Sequence, residues 1–85
     1  MDYYHIFATS KCPFCVEAID VLNNIQQEYV LTLLDNSPSV LADVKKTYDW
    51  QTVPIITLHN TADNDTVFVG GCDDLKQYLI RERTQ

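Results

Sequence analysis

Two cysteines near the N-terminus, Cys12 and Cys15, are the residues whose type and spacing most directly suggest chemistry. They lie in the stretch ATSKCPFCVEA, residues 8–18, with Pro13 and Phe14 between them. Two cysteines separated by two residues can hold a metal ion, close a structural disulfide or carry out thiol–disulfide exchange. The rest of the chain has to distinguish these three possibilities.

The context of the pair argues against a permanent disulfide. The chain has three cysteines, and an odd number fits a framework of structural disulfides poorly. The N-terminal stretch MDYYHIFATS has neither a basic region nor a cleavage site, so we expect no signal peptide. No apolar run reaches the length of a membrane span. We therefore expect a reducing, cytoplasmic location, where such a pair is more often catalytic or metal-binding.

A zinc site is the main rival to redox chemistry. A closed site needs four ligands, and beyond the pair the chain offers Cys72, His5 and His59. There is no second C-x-x-C and no H-x-x-x-H, and the two histidines fall on different predicted strands. The sequence therefore favours a site without a metal or another bound cofactor.

The charge balance narrows the choice of partners. Twelve acidic and six basic residues give a formal charge of −6, which argues against binding to nucleic acid or to anionic membranes. Such a surface favours solubility and tolerates partners with basic patches. A length of 85 residues predicts a single domain, residues 1–85, which we expect to act as a monomer.

The apolar periodicity predicts seven elements in the order β-α-β-α-β-β-α. Strands are predicted at residues 3–8, 29–34, 53–59 and 66–69. The first helix carries the inward-facing residues Cys15, Ala18, Ile19, Leu22 and Ile25. The second helix begins after Ser37 as N-cap, and the third follows Gly70 and Gly71.

This order predicts an α/β fold with a four-stranded mixed sheet flanked by three helices. Strand–helix–strand units favour parallel pairing with a right-handed crossover, and the last two strands form an antiparallel hairpin. The loop that contains Cys12 then lies at the carboxyl end of the first strand. Open α/β sheets bind their ligands at that end.

The predicted helix start gives the two cysteines different roles. Cys12, at or just before the helix, faces unpaired backbone N–H groups and the positive end of the helix dipole, which favour a thiolate. Lys11 adds a neighbouring positive charge. Cys15 lies one turn into the helix on the inward face and should be less accessible. We therefore expect Cys12 to be the attacking nucleophile and Cys15 the resolving thiol.

Three blocks of the sequence together resemble the glutaredoxins. They are CPFC at 12–15, QTVP at 51–54 and GGCDDL at 70–75, and the resemblance covers nearly the whole chain. The short length is similar to that of the small dithiol glutaredoxins of bacteria and bacteriophages. The resemblance implies a thioredoxin-like fold and glutathione-dependent reduction of protein disulfides and of glutathione mixed disulfides.

The resemblance also implies a glutathione-binding groove beside Cys12. Val53 would pair its backbone with the cysteinyl part of glutathione, and Pro54 would be a cis proline facing the site. Asp73 or Asp74 would accept a hydrogen bond from the γ-glutamyl ammonium, although both also suit a helix N-terminus. The implied binding residues are Lys11, Phe14, Gln51, Thr52, Val53, Pro54, Gly71, Cys72, Asp73 and Asp74.

The chain departs from the family pattern at two of these positions. Gln51 stands where many members have arginine or lysine, and Phe14 where the family more often has tyrosine. Trp50 is expected to pack beside Gln51 without a further role. Cys72 is expected to be a small buried residue near the groove.

Two other functions of thioredoxin-like proteins remain as alternatives. A carrier of a glutathione-ligated iron–sulfur cluster is one, but its known members mostly have CGFS, and Pro13 and Cys15 argue against it. A thioredoxin-like reductant served by a reductase enzyme is the other, but thioredoxins usually have tryptophan before CGPC. Among protein partners, the resemblance suggests disulfide-containing or glutathionylated proteins, including ribonucleotide reductase.

Overall fold

The computed structural model of the chain describes residues 2–83, and residues 1, 84 and 85 of the predicted domain lie outside the described residues. The elements are β1 (Asp2–Ala8), α1 (Pro13–Asn24), β2 (Tyr29–Leu33), α2 (Pro38–Tyr48), β3 (Ile55–Asn60), β4 (Asp65–Gly70) and α3 (Cys72–Arg83). The predicted order β-α-β-α-β-β-α is confirmed. None of these three helices is long and apolar enough to cross a membrane.

The four strands form one mixed sheet in the order β2-β1-β3-β4. β1 pairs with β2 in parallel, from Tyr4 opposite Tyr29 to Ala8 opposite Leu33. β3 is antiparallel to both β1 and β4, and β3 and β4 form the predicted hairpin. Since β1 is an inner strand, the loop that follows Ala8 leaves the sheet at its centre, where α1 begins.

One face of the sheet carries the apolar core. Side chains of β1 alternate, so that Tyr4, Ile6 and Ala8 are buried on this face. They pack in one cluster with residues of α1 and α3. The other buried members of the cluster are Cys12, Cys15, Ala18, Leu22, Ile56, Cys72 and Leu75. All three cysteines therefore belong to the core that the two helices cover.

The opposite face is covered less completely, by an aromatic row that joins the sheet to α2. The row runs through His5, Phe7, Tyr48, Phe68 and Trp50, with neighbouring ring centroids 4.2 to 6.4 Å apart. No residue of α2 is fully buried. His5 and Phe7 of β1 are accordingly only half-buried on this face.

The predicted start of the third strand is wrong by two residues. β3 begins at Ile55 rather than at Val53, because Pro54 has no N–H to donate to the ladder and its peptide bond with Val53 is cis. Val53 consequently lies in the segment that connects α2 to β3. Ser37 is the N-cap of α2 as predicted, but its side chain makes no capping hydrogen bond.

Candidate active site

Cys12 is the N-cap residue of α1, as the sequence predicts. Its sulfur accepts a hydrogen bond from the backbone N–H of Cys15, with Sγ 3.2 Å from the nitrogen. Its carbonyl oxygen accepts from the N–H groups of Cys15 and Val16. An anion at this position is stabilised by the unpaired N–H groups and the helix dipole. The sulfur of Cys12 therefore lies at the N-terminus of α1, among the first N–H groups of the helix.

Cys15 is buried, and burial favours the protonated form of its thiol. Its side chain is 1 % exposed, and it belongs to the core cluster. Burial, followed by a hydrogen bond with Cys12, raises the pKa of the Cys15 thiol to about 12. Cys15 therefore keeps its proton at neutral pH.

Val53 and Pro54 form the wall that faces Cys12. The thiol of Cys12 lies 3.5 Å from the carbonyl oxygen of Val53, to which it donates. The Val53–Pro54 peptide bond is cis, as the resemblance implies, and Pro54 is fully buried. The QTVP block, 41 positions further along the chain, is thus brought into contact with the nucleophile.

The start of α3 is a capped helix N-terminus. Asp74 Oδ2 accepts a hydrogen bond from the N–H of Gly71 at 3.0 Å, and the N–H of Leu75 donates to the carbonyl of Gly71. This is the arrangement of a capping box, in which the third helical residue reaches back to the N-cap. One carboxylate oxygen of Asp74 is thereby occupied, while Asp73 is exposed. The two aspartates, which the sequence could not separate, have different surroundings.

A groove of about 240 Å³ connects these parts. Its lining residues are Phe14, Trp50, Thr52, Val53, Pro54, Gly71, Cys72, Asp73 and Asp74. Eight of the ten predicted binding residues lie in this set. The remaining two, Lys11 and Gln51, are exposed and do not line the groove. The groove runs from the wall beside Cys12 to the N-terminus of α3.

Trp50 lines the groove, although no motif in the sequence assigned it a role there. Its indole makes an edge contact with Phe68, at the end of the aromatic row. The opposite edge lies against Gly71, where an added Cβ would be 3.7 Å from both Nε1 and Cζ2. The only signal available in the sequence was position, since Trp50 directly precedes the QTVP block.

Cys72 is a buried neighbour of the groove, in accord with its expected role. Its thiol is 4 % exposed and donates to Glu17 Oε2 at 3.5 Å. Burial and this hydrogen bond raise the pKa of Cys72 to about 11. Glu17 also pairs with Lys76 at 2.6 Å, so the contact joins α1 to α3. Cys72 is thus held as a thiol at neutral pH.

The two histidines considered as metal ligands are engaged elsewhere. His5 Nε2 is 2.7 Å from Thr32 Oγ1, and His59 Nδ1 is 2.8 Å from Thr66 Oγ1. Both lie on the sheet, away from the cysteine pair. Within residues 2–83, no group of three or more histidine, cysteine, aspartate or glutamate residues is arranged to hold a metal ion.

Solved structures share this fold. The buckwheat glutaredoxin–glutathione complex matches with a TM-score of 0.77 and 17 % identity, over 95 % of this chain and 71 % of that one. Glutaredoxin 1 from Francisella tularensis, complexed with cacodylate, matches with a TM-score of 0.71 and 22 % identity over the whole of both chains. Wheat glutaredoxin matches with a TM-score of 0.70 and 23 % identity, over 84 % of this chain and 63 % of that one. The fold is therefore thioredoxin-like.

Sequence comparison extends the likeness from the fold to the family. The glutaredoxin family model matches residues 5–61, which include the cysteine pair and the cis proline. A glutaredoxin from Pseudomonas aeruginosa is 31 % identical over 70 residues, covering 82 % of this chain and 76 % of its own. With one cysteine at a helix N-terminus and a buried second thiol one turn later, the chain belongs to the glutaredoxins, a family of thiol–disulfide oxidoreductases.

Proposed function

We propose that this protein reduces glutathione mixed disulfides and protein disulfides with glutathione as the reducing co-substrate. The observation that carries the proposal is the position of Cys12, whose sulfur lies 3.5 Å from a carbonyl oxygen of the groove wall. The groove then leads to a helix N-terminus, which suits a carboxylate. The buckwheat relative, whose fold this chain shares, was solved as a complex with glutathione.

Val53 is the residue that binds the cysteinyl part of glutathione in this proposal. It precedes β3, so its backbone is not part of the sheet ladder. An extended ligand backbone can pair with it as an additional short strand. This pairing would hold the glutathionyl sulfur beside Cys12, while Thr52 and Phe14 line the same groove.

The N-terminus of α3 receives the γ-glutamyl end. The first helical hydrogen bond runs from Leu75 to Gly71, so the N–H groups of residues 72–74 precede it and can donate to a carboxylate. Asp73 is exposed and can accept from the γ-glutamyl ammonium. Asp74 contributes mainly by capping the helix, since its Oδ2 is bonded to Gly71.

The monothiol reaction uses Cys12 alone. The Cys12 thiolate attacks the glutathionyl sulfur of a mixed disulfide, a Cys12–glutathione disulfide forms, and the substrate thiolate leaves and takes a proton from water. The thiolate of a second glutathione then attacks the glutathione sulfur of this adduct. Oxidised glutathione leaves, and Cys12 is regenerated as a thiolate. In the net reaction one reduced glutathione is consumed, the substrate cysteine is released as a thiol, and the glutathionyl group of the mixed disulfide leaves within oxidised glutathione.

The dithiol reaction also uses Cys15. Cys12 attacks a protein disulfide, which releases one substrate thiolate and forms a mixed disulfide with the substrate. Cys15 then loses its proton and attacks the Cys12 sulfur, which releases the second substrate thiolate and gives a Cys12–Cys15 disulfide. Two glutathione molecules reduce this disulfide and leave as oxidised glutathione. Ribonucleotide reductase is the protein substrate that the resemblance suggests, and the cytoplasm supplies the glutathione. Because burial raises the pKa of Cys15, its thiol must lose a proton before it can attack.

The test is glutathione-dependent reduction of a small glutathione mixed disulfide, measured on the wild type, Cys12→Ser and Cys15→Ser. We expect turnover in the wild type and in Cys15→Ser, and only the uncatalysed rate in Cys12→Ser. Loss of turnover in Cys15→Ser would contradict the monothiol route. A wild type that glutathione does not reduce, but that a thioredoxin reductase does, would show that the proposed co-substrate is wrong.

A further inference from the structure

The indole N–H of Trp50 is an unsatisfied hydrogen-bond donor. Within residues 2–83 it is the only buried side-chain nitrogen or oxygen that has no hydrogen-bond partner. In both His5 and His59, by contrast, one ring nitrogen lies within hydrogen-bonding distance of a threonine hydroxyl. A buried donor without a partner destabilises a protein by about 1–3 kcal/mol, so such a group in a native structure calls for an explanation.

The position of this donor supplies the explanation. Trp50 lines the groove, and the edge of its ring that carries Nε1 lies against Gly71, the N-cap of α3. The N–H groups of residues 72–74 precede the first hydrogen bond of this helix. A neutral side-chain donor and several backbone donors are therefore neighbours at one end of the groove. Several N–H donors close together favour the binding of a carboxylate.

We propose that Trp50 is a specificity-determining residue, whose indole N–H donates a hydrogen bond to the carboxylate that binds at the N-terminus of α3. This proposal rests on the proposed function, in which that carboxylate belongs to the γ-glutamyl end of glutathione. It assigns to Trp50 a direct contact with the ligand.

Binding requires a small rotation of the indole ring. The nitrogen is buried in the free protein, but the ring as a whole is only partly buried and lines the groove. Trp50 lies in the segment between α2 and β3, outside any helix or strand. A rotation about its side-chain bonds would turn the N–H from Gly71 toward the ligand, and the edge contact of the ring with Phe68 of β4 would shift with it. The hydrogen bond then forms only in the occupied groove.

Because Trp50 is the only tryptophan of the chain, it can be observed without ambiguity. The probe is S-methylglutathione, a thioether that cannot exchange with Cys12, and the readout is the single indole N–H resonance in a proton–nitrogen NMR spectrum. We expect saturable binding with a downfield shift of the indole proton and slower exchange of that proton with solvent. A resonance that stays unchanged at saturation would overturn the proposal.

The matched variant is Trp50→Phe, which keeps an aromatic ring against Phe68 but removes the donor. Loss of a hydrogen bond to a charged group should weaken binding of S-methylglutathione about tenfold or more. In turnover of a glutathione mixed disulfide, KM should rise while kcat changes little, because Cys12 is untouched. A lower melting temperature with unchanged affinity and KM would show a purely structural role and contradict the proposal.

Two further outcomes separate this proposal from the proposed function. If the indole proton of the free protein already has the downfield position and slow exchange of a hydrogen-bonded group, Asp74 is the natural acceptor and the proposal fails. If wild-type protein neither binds S-methylglutathione nor turns over glutathione mixed disulfides, the proposed function itself fails. Normal turnover together with an unaffected Trp50→Phe variant removes only the role of Trp50.

Discussion

The sulfurs of Cys12 and Cys15 lie one helical turn apart and have different surroundings. Cys12 is at the end of α1, where its sulfur accepts a backbone hydrogen bond. Cys15 is within the core, where no charge stabilises a thiolate and burial raises its pKa to about 12. Cys15 follows Cys12 by three positions, which is about one turn of an α-helix. This spacing places the thiol of Cys12 at the helix terminus and the thiol of Cys15 on the buried face of the helix.

Alkylation of the reduced protein should therefore be confined to one site. At pH 7, iodoacetamide should modify Cys12 much faster than Cys15 or Cys72, since the raised pKa values of the last two, about 12 and about 11, keep them protonated. Peptide-resolved mass spectrometry against time measures the three rates. Guanidinium-unfolded protein is the control, in which all three should react alike. Comparable labelling of Cys15 in folded protein would contradict the assigned roles.

Gly70 and Gly71 are adjacent but should respond differently to substitution. Gly70 has φ +123°, and an added Cβ would lie 2.7 Å from Asp74 Cγ. We expect Gly70→Ala to destabilise the protein by about 2 kcal/mol, and to lower its melting temperature by about 10 °C. At Gly71 the nearest atoms to an added Cβ are 3.7 Å away, which is ordinary contact.

Gly71→Ala is thus the matched control, and its melting temperature should stay close to that of the wild type. Thermal unfolding of both variants, followed by circular dichroism, makes the comparison. Equal melting temperatures for the two variants would show that the left-handed backbone at Gly70 does not constrain the start of α3.

Single residues also show what the sequence could and could not predict. The role of Cys12 as N-cap was predictable, because a C-x-x-C before an amphipathic pattern fixes the helix start. The separate roles of Asp73 and Asp74 were not, since both suit a helix N-terminus and only the backbone geometry shows which one reaches Gly71. The place of Trp50 in the groove was missed because it depends on contacts with Gly71 and Phe68, which are distant in sequence.

Among the elements, the β1–α1 loop is the one whose position decides where Cys12 lies. Asp35, just after β2, accepts hydrogen bonds from the backbone N–H and the hydroxyl of Ser10 at 3.0 and 2.9 Å. Leu34 donates to the carbonyl of Ala8 in the same region. The loop is thus tied to the neighbouring strand two residues before the nucleophile.

The variant Asp35→Asn should loosen this loop in a pH-dependent manner. The hydrogen bonds from Ser10 hold the pKa of Asp35 below its usual value of 3.8. A depressed carboxyl pKa contributes stability above the unfolded-state value, and that stability is lost as the pH falls through the folded-state value. The wild type should therefore melt at a higher temperature than Asp35→Asn at pH 7, and the difference should shrink below about pH 4.

Asp43→Asn, an exposed change on α2, is the control for charge alone. Melting temperatures of the three proteins between pH 7 and pH 3 make the comparison. A difference between wild type and Asp35→Asn that persists unchanged at pH 3, or that Asp43→Asn reproduces, would contradict the role assigned to the Ser10–Asp35 contact.

The order of the elements was predictable, and their ends less so. Alternation and helical periodicity distinguish strands from helices without reference to tertiary contacts, so all seven elements were found. The start of β3 was misplaced because Val53 is apolar and β-branched, as a strand residue would be. Val53 lies outside the β-ladder because its peptide bond with Pro54 is cis and Pro54 has no N–H to donate.

At the scale of the whole molecule, the sheet has one tightly packed face and one loosely packed face. α1 and α3 contribute fully buried side chains to the core, including Ala18, Leu22 and Leu75. α2 contributes none, and it meets the sheet through the aromatic row, in which Phe68 remains 37 % exposed. Local stability follows the amount of buried apolar contact, so we expect α2 to open more easily than the rest.

Hydrogen exchange measures this difference directly. Amides of α2 should exchange at least about tenfold faster than those of β1, once intrinsic rates are allowed for, because local opening of α2 exposes little apolar surface. Mass spectrometry of peptides that cover residues 38–48 and 2–8 gives the two rates. Equal protection of the two segments would show that α2 opens only when the whole protein unfolds.

The N-cap of α1 is a sulfur, and in the proposed reactions its chemical state changes in every catalytic cycle. A thiolate accepts the N–H of Cys15 strongly, whereas a sulfur within a disulfide accepts it weakly. Oxidation of Cys12 therefore weakens the hydrogen bond that caps the helix. By a thermodynamic cycle, an interaction that stabilises the reduced form raises the reduction potential of the Cys12–Cys15 disulfide. If the cap contributes about 1 kcal/mol, as helix caps commonly do, it raises the reduction potential by about 20 mV. The start of one helix thus makes the protein a slightly better oxidant than its cysteine pair alone would be.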